Sequence, residues 1–323
     1  MIAQYLGFLL ACVVTVLGDT ALAQSYPTKP IRVIVSSPAG GALDIATRLV
    51  STRLQEVIGQ PLVIENKGGA NGVIGADFVA KAPPDGYTLL MVDLGAFTTG
   101  PAVSPNLPFD PNTDFAPITM VVVSPYGVTV NPSLPVHSVK ELVDYAKANP
   151  GKLNYAVLGT GSASHLAGID FGMRAGVSWS YIPYKGGAQA LPDVASGQAQ
   201  MLAIAMLSTY PFVKSGKLRL LAVMSHQRLS FVPEIPTMIE LGYPDFVGGS
   251  WQALYAPKGT PREIVMKLHG DVLRVVNTPE MKKRVAEMGA EVMTTSPEEL
   301  GRLVVNERAK WSRIVRENNI KVE

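Results

Sequence analysis

The sequence predicts an α/β chain folded as two lobes, and three observations carry this. Strand-like apolar runs alternate with helix-like runs along most of the chain, the order that gives parallel β/α units. Two glycine- and hydroxyl-rich turns, SSPAGGALD at Ser36–Asp44 and LGTGSASH at Leu158–His165, each join such a strand to such a helix. The length, 323 residues, exceeds the usual size of one domain.

From the amino terminus, Leu6–Leu17 is apolar but too short to span a membrane, and it runs into Ala21-Leu22-Ala23 before Gln24. Residues 1–23 therefore read as a signal peptide cleaved after Ala23, although Met1–Tyr5 contain no Lys or Arg. The sole cysteine, Cys12, falls in Leu10-Ala11-Cys12, which is like a lipoprotein box; cleavage there leaves a very short apolar segment, which disfavours lipidation. Cleavage after Ala23 removes Cys12 and one acidic residue, Asp19, leaving no thiol for a disulfide or a metal.

Ile31–Ser36 (IRVIVS) is a β-branched run, and apolar Ile45, Ala46, Leu49, Val50, Leu54 and Val57 then mark an amphipathic helix over Leu43–Ile58. A strand at Leu62–Glu65, a turn at Gly68–Gly75, a helix over Val73–Ala82 and a strand at Thr88–Val92 continue the parallel series. A proline-rich loop over Pro101–Pro117 leads to strands at Ile118–Val123 and Gly127–Val130. Ser138 and Glu141 form a capping box for a helix that ends near Pro150-Gly151. Strands at Asn154–Leu158, Ser180–Pro183, Gln200–Ala205 and Leu218–Val223 make the middle of the chain a lobe of its own. After a strand at Trp251–Ala256, the runs Thr260-Pro261-Arg262-Glu263 and Ser296-Pro297-Glu298-Glu299 each combine a capping hydroxyl, a proline and a reaching glutamate. The second opens a terminal helix over Glu299–Asn318.

A helix start carries unpaired N–H donors and partial positive charge, so it holds a carboxylate or phosphate without a basic side chain. In the first turn Pro38, Ala39, Gly40 and Gly41 bring bare amides close to a ligand; equally, the turn reads as a tight connection with Asp44 as a helix-start charge. In the second, Thr160, Ser162 and Ser164 add hydroxyls to the amides of Gly159 and Gly161, and His165 either meets a carboxylate or packs, the commoner role of a lone histidine. A third turn, Tyr184-Lys185-Gly186-Gly187, holds a cation that either attracts an anion or is simply solvated. Trp251 either lines a cleft or fills the core. One anion held between two lobes is the reading these turns favour.

Other chemistries find little support. A net charge of +2 offers no basic stripe for nucleic acid. Gly159-x-Gly161-x-x-Ser164 lacks the third glycine of a dinucleotide site, and no Gly-Lys-Ser/Thr phosphate loop occurs. His137, His165, His226 and His269 are never three or four apart, and no Gly-x-Ser-x-Gly elbow exists. No catalytic residue stands out, and no metal or cofactor is expected.

VIVSSPAGGALDIATRLV, VIENKGGANGVIGADFVAKAPPDGYTLL, LNYAVLGTGSASHLAG, YIPYKGGAQALPDVASGQ and SGKLRLLAV resemble the Bug (TctC-like) family, the extracytoplasmic solute receptors of tripartite tricarboxylate transporters. The resemblance implies a periplasmic, monomeric binding protein of type II-like fold, each lobe a mixed, mainly parallel sheet flanked by helices, joined by two crossing strands. One lobe would comprise residues 24–124 and 248–323, the other 125–247. It further implies a cleft lined by Ser37–Gly41 with Asp44, by Asp93, Leu94 and Gly95, by Gly159–His165 including Ala163, by Lys185, Gly186 and Gly187, and by Ile204 and Ala205. The loaded receptor would dock on separate membrane subunits.

Three places depart from the family's common pattern. Ser36-Ser37 stand where Pro followed by Phe or Tyr is usual, which opens the first wall to a bulkier solute. Ile204-Ala205 replace a frequent Asp-Asn pair, removing a partner for an amino-acid ammonium and favouring a carboxylate without an amine, while Asp93-Leu94 replace small hydroxyl residues and run against that by adding an acid near the site. The expected ligand is an aromatic or short aliphatic mono- or dicarboxylate. A sensing adaptor with the same binding event, or a hydrolase or lyase on two α/β lobes, are the alternatives.

Overall fold

The computed structural model describes residues 26–103 and 106–317, so the signal-peptide cleavage site, Cys12 and Asn318 lie outside the described residues. β1 (Ile31–Val35) leads into α1 (Ala42–Ile58), whose Leu43, Ala46, Val50, Leu54 and Ile58 are buried at three- and four-residue spacing. Gly59 ends that helix in the left-handed region, φ 73°, and its N–H donates to the Gln55 carbonyl. β2 (Leu62–Asn66), α2 (Val73–Ala80) and β3 (Thr88–Asp93) follow, and β2 and β3 flank β1 in parallel.

Next comes α3 (Gly95–Val103), which the sequence does not announce: Pro101, expected to begin a loop, sits inside this helix. β4 (Phe115–Val130) is one continuous strand where two were expected. The polar residue at the presumed break, Ser124, is fully buried; its Oγ accepts from the Leu207 N–H at 2.8 Å and donates to the Gly289 carbonyl at 3.2 Å. With those bonds made, the strand need not stop there.

The second β/α series is α4 (Val139–Ala148), β5 (Asn154–Val157), α5 (Ala163–Ala175), β6 (Ser180–Pro183), α6 (Gly187–Ser196), β7 (Met201–Ala205), α7 (Met206–Lys214) and β8 (Arg219–Val223). The chain returns through β9 (Gly249–Pro257), α8 (Arg262–Val276), α9 (Pro279–Glu287), the short β10 (Glu291–Val292) and α10 (Pro297–Glu317).

The predicted caps resolve differently. Ser296 and Glu299 bond reciprocally, Glu299 N–H to Ser296 Oγ at 3.2 Å and Ser296 N–H to Glu299 Oε2 at 2.8 Å. Ser138 Oγ accepts from the Glu141 N–H at 3.1 Å, but Glu141 reaches one residue further back, to the His137 N–H at 2.7 Å. Thr260 is not a cap: its Oγ1 donates to the Pro257 carbonyl at 2.8 Å, and α8 begins after Pro261 without a side-chain cap. The Pro257–Thr260 turn claims the hydroxyl before the helix can use it.

Strand order is β2-β1-β3-β9-β4-β7-β5-β6, with β8 and β10 also on β4. β4 and β9 are the crossing strands. β4 pairs with β9 from Phe115 to Pro125 and with β7 and β8 from Tyr126 to Val130, always antiparallel. Away from them the ladders are parallel in each lobe, β1 with β2 and β3, β5 with β6 and β7. Of the parallel strands, the central β3 and β7 are buried on both faces, as helix-covered sheets require, and the edge strands β2 and β6 are partly exposed. In the first lobe Val33, Leu89 and Leu254 pack on α1 and α8, whereas Ile34, Leu90 and Tyr255 pack on Phe97 and Leu300. In the second, Val128 and Tyr155 pack with Leu142 and Phe171, and Leu202 and Ile204 with Leu191 and Val194.

Candidate functional site

β1 and β3 run parallel in one lobe, and β5 and β6 in the other, so their carboxyl ends present the entrances of α1, α3, α5 and α6 on the same side of each sheet. This is where open α/β sheets hold ligands. The four entrances face one cleft of about 910 Å³, within the range of small-molecule sites. Sequence reading finds three of them; α3 supplies the fourth.

The structure brings together around this cleft Ser37, Pro38, Ala39, Gly41, Asp93, Gly95, residues 159–164, Lys185, Gly186, Gly187 and Ala205. It turns five expected residues away. The Asp44 carboxylate is buried behind its turn, accepting from the Gly40 N–H at 2.9 Å, the Arg48 Nε at 2.9 Å and the Asn66 Nδ2 at 3.0 Å. Burial pushes this carboxyl up, but the bonds from Arg48, Gly40 and Asn66 together outweigh it and hold it below the ordinary value. Gly40, whose amide is thereby used, leaves the lining with it. Leu94 is buried, and its N–H donates to the Trp251 carbonyl at 2.7 Å.

His165 packs. Its Nδ1 accepts from the Gly161 N–H at 3.0 Å, its ring meets the Tyr181 ring at 4.7 Å, and burial lowers its pKa. Because a backbone N–H can only donate, Nδ1 is the acceptor and the neutral ring carries its proton on Nε2. Gly161 lines the cleft, but its amide is spent on this bond. Ile204 is buried on β7 among Ala156, Tyr184 and Leu191, so an acid's absence at this position carries no information about a ligand amine. Trp251 packs against the core formed by Phe97 and Tyr255 and does not line the cleft.

Sequence reasoning misses Asn66, Asn71, Thr99, Tyr126, Ser208 and Ser250, all of which line the cleft. The Gly68–Gly75 turn is legible as a turn, but nothing local shows that it crosses to the other lobe. There Asn71, in the left-handed region with φ 53°, donates from Nδ2 to the Thr160 carbonyl at 3.0 Å. The lobes meet again where a Cβ on Gly186 would lie 3.4 Å from Pro38, and one on Gly40 3.4 Å from Ala188. The two lobes therefore touch across the mouth of the cleft.

Among the lining residues, Asp93 and Lys185 alone carry charged side chains, and Lys185 is exposed at the rim. Asp93 Oδ1 accepts from the Gly95 N–H at 2.9 Å and Oδ2 from the Ser250 hydroxyl. Desolvation pushes its carboxyl above the ordinary value, against the two hydrogen bonds, and burial together with the Asp93 charge pushes the Tyr126 phenol up. A carboxyl with a raised folded-state pKa binds more protons folded than unfolded, so its contribution falls as pH rises from the unfolded carboxylate range through the folded value. Asn caps a helix as well as Asp does. Asp93→Asn is accordingly expected to raise the ligand-free melting temperature near neutral pH by the equivalent of about 1–2 kcal/mol, a gain that shrinks on acidification. Melting curves of both proteins between about pH 4 and pH 8 check this; a lower melting temperature for the variant at every pH would refute it. Among the described residues, no group of three or more His, Cys, Asp or Glu side chains is placed to hold a metal.

Comparison with known proteins places this architecture. The description "Tripartite tricarboxylate transporter family receptor" (TctC) matches residues 46–320. The chain is 35% identical to the protein BugT of Bordetella pertussis over 302 residues, which is 93% of each chain. Among solved structures, the periplasmic binding protein BugD superposes with a TM-score of 0.87 at 35% identity, covering 92% of this chain and 100% of that one. R. palustris Rpa4515, solved with adipate, superposes with a TM-score of 0.89 at 35% identity over 92% of this chain and 99% of the other.

Proposed function

The chain belongs to the TctC family of tripartite tricarboxylate transporter receptors, and on that premise we propose that it captures a small carboxylate in the interlobe cleft and delivers it to the membrane subunits of such a transporter. The convergence of four helix entrances on one cleft carries this reading: it offers an acid main-chain and hydroxyl donors from both lobes with a single cation at the rim. The α1 and α6 entrances have no side-chain cap, which leaves their first amides for a ligand. The Rpa4515 relative was solved with a dicarboxylate, adipate, which supports the class. The ligand is an aromatic or short aliphatic mono- or dicarboxylate, bound by the lining residues of Ser37–Gly41, 159–164 and Lys185–Gly187. The receptor works in the periplasm after residues 1–23 are removed, and the acid is released unchanged.

The test is a thermal-shift screen of organic acids on the chain starting at Gln24. A ligand at about 100 Kd should stabilise by about 2.7 kcal/mol and be recovered intact. Consumption of the acid, or no response to any carboxylate, would refute the reading.

A further inference from the structure

The charge on Asp93 has no purpose that the fold supplies. Its two protein partners are both donors, the Gly95 N–H and the Ser250 hydroxyl, and an asparagine would satisfy the Gly95 amide equally well. Ser250 has one proton. Its Oγ accepts from Gln252 Nε2 at 3.2 Å, which leaves that proton for Asp93. Gln252 is fully buried, and its Oε1 has no hydrogen-bond partner. The amide is thus oriented toward Ser250 at the expense of its own oxygen, and the chain Gln252–Ser250–Asp93 favours the charged carboxylate against the desolvation that opposes it. No Lys, Arg or His forms an ion pair with Asp93 among the described residues, and Lys185 lies at the rim.

The four helix entrances are also unequal. Asp93 itself covers the entrance of α3 through Gly95, and Ser162 caps α5 by accepting from the His165 N–H at 3.2 Å. The α1 and α6 entrances stay uncapped. The cleft is therefore polar along its length, positive where α1 and α6 enter and negative at Asp93. A ligand that is only an anion is attracted to the first end and repelled by the second.

Resting on the reading of this cleft as a carboxylate receptor, we infer that Asp93 is a specificity-determining residue and that the ligand is a small carboxylate that also carries a protonated nitrogen. The carboxylate faces the entrances of α1 and α6, and the nitrogen donates to Asp93. A desolvated carboxylate gains most from a partner that brings both hydrogen-bond donors and positive charge, more than from a neutral hydroxyl.

Matched sets test this by calorimetry and thermal shift: acetate, glycolate and glycine; succinate, malate and aspartate; glutarate, 2-hydroxyglutarate and glutamate; phenylacetate, mandelate and phenylglycine. Within each set the skeleton is held while hydrogen, hydroxyl or ammonium is varied. On the wild-type protein the set that binds is expected to rank ammonium above hydroxyl above hydrogen, with at least about tenfold between the first and last. Asp93→Asn should abolish or reverse that ranking. Ser250→Ala should narrow it, and it serves should the first variant fail to fold. A plain acid that binds the wild type as tightly as its amino counterpart overturns the inference while leaving carboxylate capture standing, as does an unchanged ranking in Asp93→Asn. Silence from all four sets overturns this inference, and capture itself then stands or falls on the wider screen of organic acids.

Discussion

Gly41→Trp is expected to abolish ligand capture, weakening affinity by more than about 100-fold, while the variant folds and melts like the parent. Gly41 is the N-cap of α1 with φ −80° and ψ 168°, an extended conformation open to any residue. A Cβ there would meet only the Pro38 carbonyl at 3.5 Å and Ser37 Oγ at 4.0 Å, ordinary contacts. The backbone thus accepts a side chain, and the space available to an indole beyond that Cβ is the cleft that Gly41 lines. It would stand over the uncapped amides of α1, so the acid loses both volume and donors, several kcal/mol together. Gly161 is a poorer probe, because its φ of 74° adds strain to any substitution and its amide already serves His165. Circular dichroism and melting would report the fold, and calorimetry with the acid found by screening the affinity. Undiminished affinity in a folded Gly41→Trp protein would remove α1 from the site.

What the sequence made legible was local. A β-branched run, a glycine-rich turn and an apolar stripe of period 3.6 fall within some thirty residues of one another at Ile31–Ile58, and the structure keeps all three in place. The same local logic found the turn at Leu158–His165. It could not tell which way the polar groups of those turns face. Asp44 and His165 each fold back onto an amide four residues upstream, which removes them from the cleft they were expected to line. Ser250 was invisible for the opposite reason. It reaches Asp93 across 157 residues on the returning strand, and only the pairing of β3 with β9 brings the two together. The sequence flags the acid at Asp93 and the missing acid at 204 alike; only the folded chain shows that the first faces the ligand space and the second position is packed away from it.

The sequence does not announce α3 because its composition, GAFTTGPAV, has no strong helix former beyond two alanines and sets glycine, threonine and proline against them. Such a segment is helical only because tertiary packing holds it, and Phe97 is the anchor. The ring is fully buried, 5.0 Å from Phe115, 5.3 Å from Tyr255 and 5.9 Å from Phe109, while Gly95, Ala96, Thr99 and Gly100 on the other side line the cleft. Phe97→Ala should cost about 3–5 kcal/mol, seen as an earlier denaturant midpoint. The loss should not stop at stability. With its anchor gone, α3 no longer fixes Gly95, and Asp93 loses the amide that orients it; affinity should fall in the folded fraction at temperatures well below melting. Phe97→Leu, which keeps most of the buried volume, should restore much of both. If Phe97→Ala lowered stability yet left affinity untouched, α3 would be a structural wall of the cleft and its amino end no part of the grip on the ligand.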